Sequence, residues 1–202
     1  MGIIMNMLNY PPGTVIPENK RKQDMTNALF DPAPDFDQPI AVLKHCHERI
    51  RKQLRTMQKL LDHLPEFGAN LDAEKGATAI LRYFNNAAPQ HHADEEQDLL
   101  PMLRTSAQGK DAALLDILLP EIMQEHQQME IVWQALAQQL TRIASGESAV
   151  LSAAHVQQFI ALYTSHMEKE EAHIAPMAKR VFSDTQMAQL GRAMRNRRGI
   201  AC

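Results

Sequence analysis

The sequence predicts an all-α protein, an up-down-up-down four-helix bundle with an extended N-terminal arm and a short C-terminal helix. Three observations lead to this. Apolar residues recur at 3- and 4-residue steps through four long stretches. Aromatics at 5% and 8 glycines in 202 residues suit helices better than a sheet. Finally, one polar pattern set in these stripes is written twice: HHADEEQDLLP at 91–101 lies over HMEKEEAHIAP at 166–176, aligning His91 with His166, Glu95 with Glu170, Glu96 with Glu171 and Pro101 with Pro176.

Residues 1–36 contain Pro11, Pro12, Pro17, Pro32 and Pro34 and no long helical period, so they read as an arm lying over the bundle. From 37 onward Ile40, Leu43, His47, Ile50, Leu54, Met57 and Leu61 predict helix A, ending near Pro65 and Gly68. Asp72 is expected to cap helix B, which carries Ile80, Phe84, His91, Glu95 and Leu99 to about Leu103, with a kink at Pro89. Gly109 then breaks the chain, and a short apolar segment leads to Pro120, a first-turn residue for helix C. Helix C bears Ile122, His126, Met129, Trp133, Leu136 and Leu140 and stops at Ser145 and Gly146. Helix D runs from about Ser148 through Phe159, Leu162, His166 and Glu170 to Val181. Short connections make sequential neighbours antiparallel, which gives a bundle over 37–182. In 183–202, Ser183 caps a last helix with Met187, Leu190 and Met194, and the basic run up to Arg198 reads as a solvated helix end.

A formal charge of −3 gives no reason to expect nucleic acid as a partner. Cys46 and Cys202 make no disulfide framework, which points to a reducing, cytoplasmic setting. The opening MGIIMNML lacks a basic region and a cleavage pattern, so no signal peptide is expected. No apolar run approaches the ~20 residues of a membrane span.

In each repeat a histidine stands four residues before a glutamate, which puts both on one helical face a turn apart. That is half of a metal site. Phe84 and Phe159 lie seven residues before the two histidines, on the same face. His47 and His126 match each other as well, each followed by an apolar residue at plus three and at plus seven. A bundle with pseudo-twofold symmetry brings His47, His91, Glu95, His126, His166 and Glu170 to one level. Four imidazoles and two bridging carboxylates suit two divalent ions, and mixed nitrogen and oxygen donors favour iron, manganese or zinc over calcium or magnesium. Glu130, one turn past His126, is a seventh candidate ligand; its counterpart on helix A is Arg51, with which it could instead pair. The plain alternatives are exposed ion-pair ridges and hydrogen-bonded core histidines. Asp98 and His173 coincide in the repeat and are expected to face each other inward, as an acid–imidazole pair or as ligands of an extra ion. His45 and His92 fall on other faces, Cys46 reads as a small buried thiol, and Glu96 and Glu171 as supporting or solvent-facing.

With His47 in helix A, the run from His91 to Pro101, the adjacent Glu125 and His126, and the run from His166 to Pro176, residues 37–200 resemble the hemerythrin family, specifically bacterial proteins with the HHE cation-binding domain. Ferritin-like bundles differ, with the carboxylate first and the histidine three residues later. The resemblance implies a non-haem di-iron centre of two iron ions that binds or senses oxygen or nitric oxide. It equally implies an alternative, a di-iron enzyme that turns over peroxide or nitric oxide or supports repair of iron–sulfur centres. Oxygen carriers of the family place two histidines one turn apart on helix C, where this chain has His126 and Glu130; repair-type relatives carry an N-terminal module with adjacent cysteines, and residues 1–36 contain none. The arm and the last helix leave a homodimer open.

Overall fold

A computed structural model describes residues 35–200, and the arm expected over 1–36 lies almost entirely outside the described residues. Helix α1 spans Pro39–Phe67; proline starts it well because its missing N–H would be unpaired there, and Gly68, at φ 65°, closes it. Helix α2 starts at Leu71–Arg82. Its cap is Asn70, whose side chain accepts from the Ala73 N–H, and not Asp72, which lies in the first turn and complements the helix dipole. The helix continues through a π-helical turn, Tyr83–Ala87, the segment Ala88–Asp94, a second π turn, Glu95–Leu99, and Leu100–Ser106.

Helix α3 is one element from Gly109 to Ala144, so Pro120 lies inside it and does not begin it. The helix survives the lost N–H because Leu115, Leu118 and Ile122 bury a continuous face on both sides of the proline. Helix α4 begins at Ala153, capped by Ser152, later than expected, and runs through Lys169, a π turn at Glu170–Ile174 and Ala175–Val181. Helix α5, Asp184–Arg197, opens with the Ser183/Gln186 capping box. Its Gly191 lies so close to the Phe36 carbonyl oxygen that a Cβ there would collide with it.

The three π turns share a cause legible in the chain. Each is followed by one residue and then proline: Pro89, Pro101 and Pro176. Proline cannot donate to the carbonyl four residues back and clashes with it. Widening the preceding turn, so that Ala88, Leu100 and Ala175 donate five residues back to Tyr83, Glu95 and Glu170, lets the helix continue.

The apolar core falls into two clusters. One packs Ile50, Leu54, Phe84, Trp133, Leu136 and Phe159 together; the other packs Leu43, Leu99, Leu103, Ile122, Ile174 and Leu190. His47, His91, Glu95, His126, His166 and Glu170, on the same four helices, are buried between these stretches of sequence. Among the described residues no helix is long and apolar enough to cross a membrane.

Candidate metal centre

Burying charge and imidazole this deeply is costly unless each group is paired or holds a cation. The six residues form two groups, His47 with His91, and His126 with His166, each completed by Glu95 and Glu170; within each group one ligand atom per residue lies within 4.8 Å of the others. Glu95 approaches His91 Nε2 at 3.3 Å and His126 Nε2 at 3.6 Å, and Glu170 approaches His47 Nε2 at 3.2 Å and His166 Nε2 at 3.4 Å. Each glutamate thus faces both histidine pairs.

Three imidazoles are held from behind by carboxylates of a neighbouring helix. Glu96 of α2 meets His126 Nδ1 at 2.6 Å, Glu125 of α3 meets His166 Nδ1 at 3.0 Å, and Glu171 of α4 meets His47 Nδ1 at 2.9 Å. A carboxylate on Nδ1 keeps the proton there and turns the Nε2 lone pair into the cluster. His126 Nε2 and His166 Nε2 then stand 3.0 Å apart with lone pairs toward each other, which repels unless a cation lies against both. His47 Nε2, Glu95 Oε2 and both Glu170 carboxylate oxygens are also buried without a hydrogen bond. These residues fit a pair of divalent cations.

The electrostatics agree. Burial, then repulsion from Glu170, raises the Glu95 pKa well above the ordinary carboxylate range. Burial pushes Glu170 up too, but His166 and His47 outweigh it and hold the carboxyl below its usual value. Burial, then the neighbouring His47, lowers His91 well below the usual imidazole range. Its folded-state pKa is therefore below the unfolded one, so the unfolded chain takes up the proton first as pH falls. The stability this histidine contributes is present above about pH 6.5 and lost below it, at about 1.4 kcal/mol per pH unit. In urea denaturation of metal-stripped protein at pH 7.0 and 5.5, wild type is expected to lose about that much more than His91→Gln; equal losses would refute it.

Not every expected residue joins the cluster. Glu130 is exposed and accepts from the Gln134 side chain at 3.1 Å, because the buried face of α3 passes through Met129 and Trp133 on either side of it. Asp98 and His173 do not meet: Asp98 bonds Arg197 and His173 is exposed. The π turns explain this. An extra residue per turn rotates the chain beyond the glutamates, so Leu99 and Ile174, eight residues after the histidines, point inward in their place. The C-terminal basic run is no solvated end either, since Arg197 and Arg198 both bind Asp94, which is fully buried.

His92, expected on another face as a surface or supporting residue, stacks its ring on His126 at 4.1 Å between centroids, and the Tyr163 hydroxyl lies 3.4 Å from its Nε2. Phe84, Trp133, Phe159 and Tyr163 form an aromatic cluster next to it, with the Trp133 indole donating to Asn85.

A bundle of antiparallel helices with histidines and glutamates converging in its interior defines a metal-binding helical protein. Residues 38–178 match the model of the hemerythrin HHE cation binding domain, and the chain belongs to the hemerythrin family. It is also similar to a protein of Haemophilus influenzae, described as an uncharacterized protein, at 29% identity over 165 residues, which cover 82% of this chain and 92% of that one.

Proposed function

We propose that this protein holds a non-haem di-iron centre and uses it to bind or sense a small diatomic molecule, oxygen or nitric oxide. The observation that carries this is the sharing of Glu95 and Glu170, two buried carboxylates each placed against both histidine pairs. In this reading His47 and His91 would hold one ion, His126 and His166 the other, and Glu95 and Glu170 would serve both. Iron supplies reversible binding of diatomic ligands and one-electron chemistry, while manganese or zinc would fit the same donors. A cavity of about 580 Å³ reaches Glu95, Glu170 and His47; Leu43, Leu99 and Ile174 wall it together with Lys44 and Lys179, and it gives a small molecule room beside the cluster.

The reading as an enzyme of peroxide or nitric oxide turnover draws on one specific observation. His92 stacks on His126 and accepts a hydrogen bond from the Tyr163 hydroxyl; burial keeps His92 neutral and the Tyr163 phenol protonated well above the usual range, which holds a proton on the phenol beside the centre.

Protein purified anaerobically from iron-fed cells is expected to carry about two irons per chain, as a carboxylate-bridged bundle requires, and to gain near-ultraviolet charge-transfer bands in air. Zinc alone, or no metal, would overturn the di-iron reading. Catalytic loss of peroxide or nitric oxide at substoichiometric protein, reduced in Tyr163→Phe, would favour the enzyme.

A further inference from the structure

We infer that the two metal subsites are unequal, with the His126/His166 subsite filling first and the His47/His91 subsite holding a more weakly bound, exchangeable divalent cation. The inference rests on the two-metal reading above and goes beyond it.

The supporting carboxylates form an incomplete ring. Glu96 on α2 serves α3, Glu125 on α3 serves α4, and Glu171 on α4 serves α1. The remaining link should run from α1 to His91 on α2. By the internal repeat its position is the residue before His47, as Glu125 precedes His126, and there the chain has Cys46. A cysteine side chain is two atoms shorter than a carboxyl-bearing glutamate and a weak acceptor, and this one faces Arg198. His91 Nδ1 is accordingly buried with no hydrogen-bond partner.

A second difference runs the same way. Arg51 grips Glu171 through both oxygens at 2.9 and 3.0 Å and so draws charge away from His47. At the position of the repeat that matches Arg51 the chain has Glu130, which brings no cation to Glu96, and Glu96 meets His126 at 2.6 Å. Glu125 is shared with Lys169 at 2.8 Å, yet it still meets His166 through its other oxygen. The His126/His166 pair therefore has two carboxylates behind it, one of them shared with Lys169, and the His47/His91 pair has one, shared with Arg51.

Carboxylates behind metal-bound histidines raise ligand basicity, and losing one typically costs about 10–100-fold in affinity. Zinc titration of metal-stripped protein, followed by calorimetry and native mass spectrometry, is expected to show two steps separated by about that factor. His91→Ala should remove the weak step and keep the tight one. Cys46→Glu, whose carboxylate can reach His91 and meet Arg198, should narrow the gap about tenfold, and Glu125→Cys should weaken the tight step. Two ions entering with equal affinity, or a tight step lost in His91→Ala while the weak one survives, would overturn the inequality and leave the two-metal reading intact. Failure to bind any ion would sink both.

Discussion

Glu95→Gln is expected to reduce the protein from two metal ions per chain to at most one, because a single carboxylate serves both histidine pairs. The substitution keeps the shape of the side chain and removes only its charge, so no cavity complicates the outcome. A bound ion at one hundred times its Kd stabilises the folded state by about 2.7 kcal/mol, and two contribute about 5 kcal/mol. For a domain of this size each kcal/mol moves Tm by roughly 2–4 °C. In metal-replete buffer the variant should therefore melt about 5–10 °C below wild type if it keeps one ion and about 10–20 °C below if it keeps none. In excess chelator the order should close or reverse, since burial and Glu170 already disfavour a charge at Glu95 and glutamine carries none. A Tm difference equal in both buffers, or two ions retained by the variant, would show that Glu95 is structural.

How much of this centre was legible follows from which periodicities hold locally. The spacing of His91 to Glu95 and of His166 to Glu170 is one regular α-helical turn lying before the π turn, and there the 3.6-residue period gives the right face. Beyond each glutamate the hydrogen bonds reach back five residues and the turn widens, so a 3.6-residue period misplaces Asp98 and His173 by one residue. Pro101 and Pro176, aligned in the repeat, were the available signal that the ladder must widen there. Glu130 failed for a simpler reason: the stripe through Met129 and Trp133 had already assigned it to the outer face. The carboxylates behind the histidines lie about 100° round from the ligand face of their own helix. They act on the next helix, so their targets depend on the bundle's handedness, which no single helix encodes.

The contact furthest from reach was the one between α5 and α2, made across about a hundred residues, and its removal carries the second large effect. Asp94 has no exposed surface and lies immediately before Glu95, at the start of the π turn that aims it. Arg197 binds one of its oxygens and Arg198 binds both, at 3.1 and 2.6 Å. The arginines keep about a sixth of their side-chain surface in solvent and can rehydrate if released, whereas the aspartate cannot. Replacing both with alanine is thus expected to cost about 3–5 kcal/mol, the penalty of a buried charge stripped of its partners. A solvated helix end would lose less than about 1 kcal/mol. Asp94→Asn in the same background should restore most of the loss, short of the part due to Arg198 over the Phe36 ring at 5.4 Å. Urea denaturation of the four proteins closes the cycle. Without rescue by Asp94→Asn, the arginines would matter for packing α5 and not for neutralising Asp94. With rescue, α5 is tied electrostatically to the turn that presents a shared metal ligand, and lost docking of the last helix should loosen Glu95 before it unfolds the bundle.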